Sequence, residues 1–424
     1  MAQLTDDCFA FSGPLMPIEE MEHLIAERVA PVEEIEKVLL RNACGRVTVA
    51  DIRAPVDLPP FDNSAVDGYA VRHADLNMNG ETTLRVSGRL TAGAQDRLVV
   101  GPGEAVRVFT GAAMPDGADT VFMQEDVSVD RDRVSVPPGL ARGANRRLAG
   151  EDVHVGQLAF RAGTVLDAQH VALAAALGIT ELEVRRRLSV AIFSTGDEVV
   201  EPSASRGRAA IYDSNRYLLA ALLERLGVQV TDLGILRDEP GQLARALVDA
   251  VSGHDLIVTS GGVSTGEADH VRDAVEQIGS LVFWRVAIKP GRPVAMGIIR
   301  SGDRSQRAAF AGLPGNPVAV FVTFVRVVKP LLRRLSGAQP QTLVPLPVRV
   351  GFAYKKKKDR REYVRVSLRR ATDGDIEAVK YPQDGAGVLT SLTDTDGLLE
   401  LPEGLTSIEP GARVGFLSYA VLMS

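Results

Sequence analysis

Apolar runs alternate with segments of helical period over residues 188–336, and this alternation constrains the fold more than any other feature of the sequence. The apolar runs, each of a length suited to one strand, are Leu188–Phe193, Val228–Leu236, Asp255–Ser260 and Leu281–Ile288. The helical segments are Asn215–Leu226, Gln242–Val251, Asp269–Ile278 and Pro317–Leu335. Because parallel strands are usually joined by crossover helices, the pattern predicts a doubly wound α/β domain over residues 188–336.

On the N-terminal side of this domain, the hydrophobic pattern changes from helical to β and back to helical. Residues 17–44, with a break at Pro31, and residues 153–187, notably Ala168–Leu177, have helical character. Between them lie short β-branched runs: Thr83–Ser87, Leu98–Val100, Ala105–Thr110, Thr120–Met123, Val127–Val129 and Val134–Val136. These patterns predict a small discontinuous N-terminal helical domain, residues 1–45 and 153–187, around a β-rich insert domain, residues 46–152.

A second β-rich stretch follows Ser336. Strands are expected near Val344–Gly351, Glu362–Leu368, Ile376–Val379 and Arg413–Leu417. They predict a small C-terminal β-barrel domain over residues 337–424, which makes the chain a multidomain protein of α/β and β domains. The run Lys355–Lys358 within this stretch is expected to be a solvated hairpin.

Composition narrows the possible classes of function. At 424 residues, 45% of them hydrophobic, the chain is long enough for roughly two to four globular domains. A formal net charge of −6 argues against a general nucleic-acid binder, which needs a positive field. Only Cys8 and Cys44 are present, and neither a signal peptide nor an apolar run of membrane-spanning length is visible. We therefore expect a cytoplasmic protein with neither a nucleic-acid nor a membrane partner.

Polar loops follow all four predicted strands of the α/β domain. They contain Ser194 to Glu198 after the first strand, Arg237 and Asp238 after the second, Gly261 to Ser264 after the third and Lys289 after the fourth. In open parallel sheets, ligands bind in the crevice outside the carboxyl ends of the strands. The sequence therefore predicts that these loops converge on one rim.

The third loop is the best candidate for binding an anion. Gly261 and Gly262 allow a ligand to come close to the backbone, and the helix start that follows offers unpaired N–H groups. Ser264 and Glu267 fit a capping box, which places this helix start near Ser264. The alternative is a Gly-Gly turn before a capped helix, without a ligand, but the position at the rim favours binding.

Two further turns add polar groups to this region. Lys289-Pro290-Gly291-Arg292 has Pro and Gly at the central positions of a type II turn, which would place its two cations within roughly 7 Å between Cα atoms. By strand alternation, Arg285 could share a face with Lys289. After Pro314, Asn316 is expected to be the N-cap of a helix that begins at Pro317. The alternative for the first turn is a solvated hairpin with incidental charges. The alternative for the second is a turn and helix start with a structural role only.

Glu198, Asp238 and Asp269 are the carboxylates nearest the predicted rim. Carboxylates beside an anion site repel the substrate unless a hard cation lies between them, and Mg²⁺ is the natural cation for oxygen ligands. Each carboxylate could instead cap a helix or form a turn. Taken together, they predict a magnesium site.

Several motifs resemble those of the bacterial MoeA and gephyrin E-domain family. Local chemistry predicts little for Pro59–Ala70 beyond an Asp-Gly turn at Asp67 and Gly68, so the resemblance matters most there. The matching segments, in order, are Pro59–Ala70, Arg146–Asp152, Ile211–Arg216, Ser260–Ser264, Glu267–Asp269, Ala287–Gly291 and Gly312–Pro317. The resemblance extends from about Met16 to the C-terminus.

The resemblance implies an elongated homodimer that takes adenylylated molybdopterin and molybdate, cleaves the phosphoanhydride with Mg²⁺, and releases AMP and molybdenum cofactor. The implied catalytic residues are Asp67, Thr110, Asp152, Glu198, Asp238 and Asp269. The candidate substrate-binding residues are Ser260, Gly261, Gly262, Ser264, Arg285, Lys289, Arg292, Pro314, Asn316 and Arg365. Of these, Arg365 matches a position associated with molybdate. A molybdopterin adenylyltransferase and apo-molybdoenzymes are further implied partners.

Two positions depart from the family pattern. Family members often have Gly-Ser near the oxoanion site of the last domain, where this chain has Gly385-Ala386-Gly387 and so lacks a hydroxyl donor. Arg292 stands where other members have lysine, and its planar guanidinium also suits an oxoanion but changes the contact geometry.

Two rival functions remain open from the sequence. The α/β domain resembles the single-domain adenylyltransferases of the same pathway, but those enzymes lack the Asp67 segment. The gephyrin E domain also binds receptor tails, which suggests a non-catalytic scaffold. We expect molybdenum insertion, at an active site shared between protomers, with Asp67, Thr110 and Asp152 of one chain facing the α/β rim of the other.

Overall fold

The computed structural model describes residues 15–237, 240–262, 270–291 and 293–424. The sheet of the α/β domain has six strands in the order Gln229–Ile235, Ser189–Ser194, Leu256–Ser260, Arg307–Leu313, Pro293–Arg300 and Gly279–Arg285. The first four strands are parallel, and the last two pair antiparallel with their neighbours. Because two antiparallel steps restore the direction, the edge strand Gly279–Arg285 ends at the same rim as the parallel strands.

Helices cover both faces of this sheet. One face packs against Asn215–Arg225, the N-terminal helix Ile18–Arg28 and a continuous helical stretch made of Pro317–Thr323, Phe324–Val328 and Lys329–Leu335. The other face packs against Pro240–Val251 and His270–Ile278. Every residue of the central strand Leu256–Ser260 is buried, as expected when a parallel strand is covered on both faces. The prediction of a doubly wound α/β domain is confirmed.

Two features of this sheet differ from the sequence prediction. The hairpin formed by Pro293–Arg300 and Arg307–Leu313 was not predicted. The predicted strand Leu281–Ile288 leaves the sheet at Arg285, and Ile288–Lys289 pairs instead with the C-terminal domain, parallel to Arg361 and Glu362. Strand alternation therefore does not place Arg285 and Lys289 on one face.

The insert is a β structure, as predicted. Its sheet has the order Thr120–Met123, Gly68–Val71, Glu104–Val108, Thr82–Leu90, Arg133–Val136 and Ser128–Asp130. Leu98–Val100 forms no strand and contributes only an isolated bridge between Val99 and Asp116. The strand Gly68–Val71 was missed. A Cβ at Gly68 would lie 1.9 Å from the Phe122 carbonyl oxygen, so close strand approach, rather than a turn, requires this glycine.

The N-terminal region mixes helix and strand. Ile35–Leu39 pairs antiparallel with Glu181–Arg185, and Ile52–Arg53 pairs with Leu158–Phe160. The helical prediction is confirmed for Ile18–Arg28 and Ala168–Ala176. It is wrong for the strands Ile35–Leu39, Leu158–Phe160 and Glu181–Arg185. Inter-strand hydrogen bonding overrides the weak helical propensity of these segments. The remaining short elements are Leu40–Asn42, Asn63–Ser64 with Arg146–Arg147, His73–Asp75, Gln124–Asp126 and Val199–Val200 with Ile211–Tyr212.

The C-terminal domain is a closed five-stranded barrel, as predicted. The strands follow the order Arg361–Arg370, Ile376–Lys380, Leu346–Val350, Arg413–Ser418 and Gly397–Leu401, and the last pairs with the first. The closing strand Gly397–Leu401 was not predicted. Short helices at Thr390–Thr393 and Tyr419–Leu422 and a strand pair, Tyr354–Lys355 with Ser407–Ile408, complete the domain.

Lys356 corrects the expectation of a solvated hairpin at Lys355–Lys358. Its side chain is buried, and its Nζ donates to the Leu405 carbonyl at 2.6 Å. Elsewhere, none of the helices in the described ranges is both long and apolar enough to cross a membrane.

Candidate functional site

The loops after two neighbouring strands of the α/β sheet meet at the rim. Gly261 and Gly262 both have positive φ, +87° and +63°, which glycine adopts without strain. A Cβ on Gly262 would lie 2.6 Å from Thr195 Cγ2, so only glycine allows the two loops to come this close. The predicted convergence of these loops is confirmed. Ser264, its capping box and Asp269 lie outside the described residues.

Four buried polar atoms at this rim have no hydrogen-bond partner within the described part of the chain. They are Ser194 Oγ, Thr195 Oγ1, Thr259 Oγ1 and Asn215 Oδ1. An unmatched buried polar group costs about 1–3 kcal/mol, so these atoms are suited to a polar ligand. Thr195, Thr259 and Asn215 were not among the site residues predicted from the sequence. The polar sequence directly after an apolar strand was the available signal for Thr195.

Asn215, in the Ile211–Arg216 segment, is held in place by the turn after Pro314. Its Nδ2 donates to the Gly315 carbonyl at 2.7 Å, which links the helix Asn215–Arg225 to the Pro314 turn. The adjacent Arg216 is buried and forms ion pairs with Asp213, Asp232 and Glu201. The segment thus joins a structural arginine to an amide at the rim.

A cavity of about 370 Å³ lies between the α/β domain and the barrel. It brings together four of the predicted substrate-binding residues: Lys289, Pro314, Asn316 and Arg365. Tyr354, Glu362 and Asp384 also line it and were not predicted. The volume is within the range of small-molecule sites, although at its lower end.

Lys289 lies in this cavity through its pairing with the barrel. Its Nζ donates to Glu362 Oε2 at 3.0 Å and to Tyr354 OH at 3.3 Å. Burial favours the neutral amine, but the interactions with Glu362 and Tyr354 together outweigh it and raise the pKa of Lys289. Burial also opposes ionisation of Glu362, yet hydrogen bonds from Lys289, Tyr354 and Arg360 lower its pKa. Lys289 therefore stays cationic beside the cavity.

Arg365 is a buried cation on the opposite wall. Its Nε donates to Ser391 Oγ at 3.0 Å, and its Nη2 donates to the carbonyls of Gln383 and Gly385, both at 3.1 Å. No described carboxylate forms an ion pair with it, and burial lowers its pKa. A buried guanidinium whose partners are all neutral retains a strong field for an anion.

The N-terminus of the helix that begins at Pro317 forms part of the wall of the same cavity. Asn316 is its N-cap residue, as predicted, but the Asn316 side chain makes no capping hydrogen bond. The Ala386 carbonyl of the barrel accepts from the Val318 N–H at 3.0 Å. One free N–H of this helix terminus is thus already satisfied by the protein, and the Asn316 amide is directed elsewhere.

Arg285 does not extend this cation cluster. Arg285 is exposed at the end of its strand and does not line the cavity. Arg292 lies outside the described residues. The Lys289–Pro290 peptide is cis, and the expected type II turn stays a prediction because its last residue is Arg292.

Glu198 is the described member of the predicted magnesium triad. It is exposed in the loop after Ser189–Ser194, and no described residue hydrogen-bonds to its carboxylate. Asp238 and Asp269 lie outside the described residues. Within the described ranges, no three His, Cys, Asp or Glu side chains cluster as a metal site. The magnesium site therefore stays a prediction.

The insert holds the other predicted catalytic residues. Asp67 Oδ1 accepts from the backbone N–H and the hydroxyl of Thr110, both at 2.8 Å. These two hydrogen bonds lower the pKa of Asp67. Asp152 is exposed, and its N–H donates to the Leu58 carbonyl at 3.0 Å.

Asp62 explains why two of the family-like motifs lie side by side. Its Oδ1 accepts from the Ala149 N–H at 2.7 Å, and its Oδ2 is paired with Arg146. Asp62 thereby ties the Pro59–Ala70 segment to the Arg146–Asp152 segment. In the described structure, no hydrogen bond or ion pair connects Asp67, Thr110 or Asp152 to the α/β rim of the same chain.

Comparison with known families defines the class of this protein. Residues 191–334 match a family described as "Probable molybdopterin binding domain". Residues 16–178 match the "MoeA N-terminal region (domain I and II)", and residues 347–419 match the "MoeA C-terminal region (domain IV)". The chain belongs to the MoeA family.

Curated relatives agree over nearly the whole length. A molybdopterin molybdenumtransferase from Haemophilus influenzae is 35% identical over 402 residues, covering 94% of this chain and 98% of that protein. A second, from Nostoc, is 35% identical over 410 residues, covering 95% and 93%. Among solved structures, a molybdopterin biosynthesis MoeA protein from Pyrococcus horikoshii superposes with a TM-score of 0.77 and 31% identity, covering 96% of this chain and all of that one.

Proposed function

We propose that this chain is a molybdopterin molybdenumtransferase, which inserts molybdenum from molybdate into adenylylated molybdopterin and releases AMP and molybdenum cofactor. The observation that carries the proposal is the cavity between the α/β domain and the barrel, where Lys289 and Arg365 both line the wall. Two cations at one small cavity suit a compact oxoanion such as molybdate. The names of the relatives support the same reaction.

In this proposal the rim crevice binds the pterin nucleotide. Gly261 and Gly262 leave room for the substrate phosphates beside the backbone. Thr195, Thr259 and Asn215 offer unpartnered polar atoms to the ring system or its side chain. Because Asn215 is also bonded to Gly315, next to Pro314 and Asn316, pterin and oxoanion would be held on adjoining parts of one surface.

The donor chemistry at the rim fits magnesium. Mg²⁺ is often held by only one or two carboxylates, with substrate phosphates and water completing its octahedron. We propose Glu198, Asp238 and Asp269 as its ligands, and the free, exposed carboxylate of Glu198 is consistent with this role. A bound magnesium ion would polarise the phosphoanhydride.

We further propose that the enzyme works as a homodimer with composite active sites. Asp67, whose carboxylate is kept ionised by Thr110, would orient the attacking water or the metal, with Asp152 nearby on the same domain. Among the described residues, neither acid is bonded to the rim of its own chain. A partner protomer could bring them to it.

The remaining predictions are retained as part of this proposal. They are the domain division at residues 1–45 with 153–187, 46–152, 188–336 and 337–424, a cytoplasmic location, and contacts with a molybdopterin adenylyltransferase and apo-molybdoenzymes.

A product assay tests the proposed reaction. The purified protein is incubated with adenylylated molybdopterin, molybdate and Mg²⁺, and AMP and molybdenum cofactor are quantified together. We expect the two products in equal amounts, with the formation of both reduced roughly hundredfold or more in Asp67→Asn. ATP-dependent formation of adenylylated pterin from molybdopterin would identify an adenylyltransferase. Binding of the substrates without any turnover would favour a scaffold.

A further inference from the structure

A second cavity, of about 350 Å³, lies away from the candidate active site. Its walls are the N-terminal helix Ile18–Arg28, the C-terminal half of the helical stretch that starts at Pro317, and the barrel. It shares no lining residue with the cavity of Lys289 and Arg365. Asn316 and Lys329 lie on the same helical stretch, and a rise of 1.5 Å per residue puts them on the order of 20 Å apart.

Cationic side chains dominate this second cavity. Five line it: Arg326, Lys329, Arg333, Arg334 and Arg361. Three carboxylates line it as well, and each is engaged by one of these cations: Glu22 by Arg326, and Glu19 and Glu400 by Arg361. This excess of positive charge is local, because the whole chain carries a formal net charge of −6.

Three of the cations bond only to backbone carbonyls within the described structure. Lys329 Nζ donates to the Leu422 carbonyl at 3.1 Å, Arg333 Nη2 donates to that of Gln339 at 2.8 Å, and Arg334 Nε donates to that of Val29 at 2.6 Å. Neutral carbonyls hold these groups in place without cancelling their charge. The cavity lining has two more cations than carboxylates, and this excess suits a dianion better than a monoanion.

The backbone changes conformation where the helix reaches this cavity. Phe324–Val328 is a π-helical segment between two α-helical ones. Such segments are rare and are frequently found at functional sites. This one contains Arg326 and directly precedes Lys329, both of which are buried in the cavity wall.

The protein alone leaves this cation cluster incompletely satisfied. The Nε atoms of Arg326, Arg333 and Arg361 are buried without a hydrogen-bond partner among the described residues. Burial, together with the nearby charges of Arg333 and Arg326, lowers the pKa of Lys329 to about 8. An anion bound in the cavity would offset the repulsion among these cations.

The other part of the wall is apolar. It includes Ile25, Val325, Pro330, Pro340 and Leu343. We propose that this cavity is a binding site for a small organic phosphate, with the phosphate dianion near Lys329 and Arg333 and an apolar body against these residues. The proposal does not depend on the reaction catalysed at the other cavity.

Calorimetric titration of the full-length protein at low salt tests the proposal. The ligands are phenyl phosphate, inorganic phosphate and phenol. Phenyl phosphate has both the charge and the apolar body, inorganic phosphate has only the charge, and phenol has only the apolar body. We expect phenyl phosphate to bind most tightly. Phenol binding as tightly as phenyl phosphate would overturn the proposal, because the cations would then contribute nothing.

Two substitutions with opposite expected effects on affinity test whether phenyl phosphate binds in this cavity. Lys329→Gln should weaken phenyl phosphate about tenfold or more, the loss expected for one charge-assisted hydrogen bond. Glu22→Gln removes a lining carboxylate and should strengthen binding several-fold, so the test stands even if Lys329→Gln fails to fold. Arg142→Gln, an exposed arginine of the insert, is the matched control and should change nothing. Affinity that is unchanged by both cavity substitutions, or lost only in Arg365→Gln, would overturn the proposal.

Proton exchange gives an independent readout. The charged groups that line the cavity with Lys329 are Arg326, Arg333 and Arg334 on its own helical stretch, Glu19 and Glu22 on the N-terminal helix, and Arg361 and Glu400 on the barrel. An added dianion raises the pKa of Lys329 from about 8, so binding at pH 8 should take up protons. Titrations in buffers of different ionisation enthalpy measure this uptake. Uptake of the same size in Lys329→Gln would contradict the assignment.

Discussion

Asp67 and Thr110 form a double contact: one carboxylate oxygen accepts both the backbone N–H and the hydroxyl of the same threonine, each at 2.8 Å. The two donors lower the pKa of Asp67, so the carboxylate stays ionised to a lower pH than an ordinary aspartate. Any activity that needs this charge is present above the lowered pKa and is lost as the pH falls through it.

The first prediction concerns this pair. Thr110→Val removes one donor, so the pKa of Asp67 rises and the acid limb of the rate profile should move to higher pH. Thr110→Ser keeps the hydroxyl and should leave the limb in place. Asp67→Asn should reduce turnover roughly hundredfold or more at every pH without changing the thermal unfolding transition. Identical acid limbs for Thr110→Val and the wild type would exclude Asp67 as the titrating group.

The second prediction is that inactive variants complement each other. Asp67→Asn alters a half-buried carboxylate and Glu198→Gln an exposed one, on two domains between which the described residues form no hydrogen bond or ion pair. If each active site combines the insert of one protomer with the rim of the other, a mixed dimer has one site with both lesions and one with neither. Activity should partly return after subunit exchange. Mixed dimers that form and stay inactive would place each site within one chain.

The third prediction is a requirement for magnesium. Adenylylated molybdopterin and molybdate are both anions, and the rim contributes further carboxylates, so a cation should be needed to bring them together. AMP release should stop after chelation and recover when Mg²⁺ is added. Glu198→Gln should raise the Mg²⁺ concentration that gives half-maximal rate. An undiminished rate after exhaustive chelation would show that these acids have another role.

The fourth prediction concerns molybdate. Arg365→Gln removes a buried cation from the cavity wall and should raise the KM for molybdate roughly tenfold to hundredfold. Ala386→Ser adds a hydroxyl to the same cavity, at the position where the family often has serine, and should lower that KM. The KM for adenylylated molybdopterin serves as the control and should change much less. Equal changes in both KM values would argue against an oxoanion site.

The fifth prediction concerns the fold of the insert. In Gly68→Ala the new Cβ would lie 1.9 Å from the Phe122 carbonyl oxygen, so the strand pair must separate. We expect a loss of about 1–3 kcal/mol in the free energy of unfolding, measured by chemical denaturation. Gly207→Ala is the matched control, because a Cβ there meets no atom within 4 Å. Equal stability of the two variants would contradict the close approach.

The fold was predictable where periodicity is strong. The apolar strands Ser189–Ser194 and Leu256–Ser260 and the helix Asn215–Arg225 lie within a residue or so of their predicted bounds. Ile35–Leu39 was misassigned because its exposed side chains follow no alternating pattern, and its partner strand, Glu181–Arg185, lies far away in the sequence. A local pattern cannot report a distant partner.

The candidate site was predictable only in part, for a similar reason. Lys289, Asn316 and Arg365 were identified, the last through family resemblance, and all three line one cavity. Glu362 and Tyr354 were missed because their importance comes from contact with Lys289, more than 60 residues away along the chain. Arg285 is near Lys289 in sequence but does not reach the cavity, because the strand ends between them.

The crossing of Ile288 and Lys289 from the α/β sheet to the barrel has one more consequence. The Arg361 N–H donates to the Ala287 carbonyl at 2.8 Å, so the strand that contains Arg365 is bonded directly to the segment that contains Lys289. The spacing of the two cations is therefore set by one shared backbone ladder and not by the linker after Ser336. Lengthening that linker should therefore not change the distance between Lys289 and Arg365.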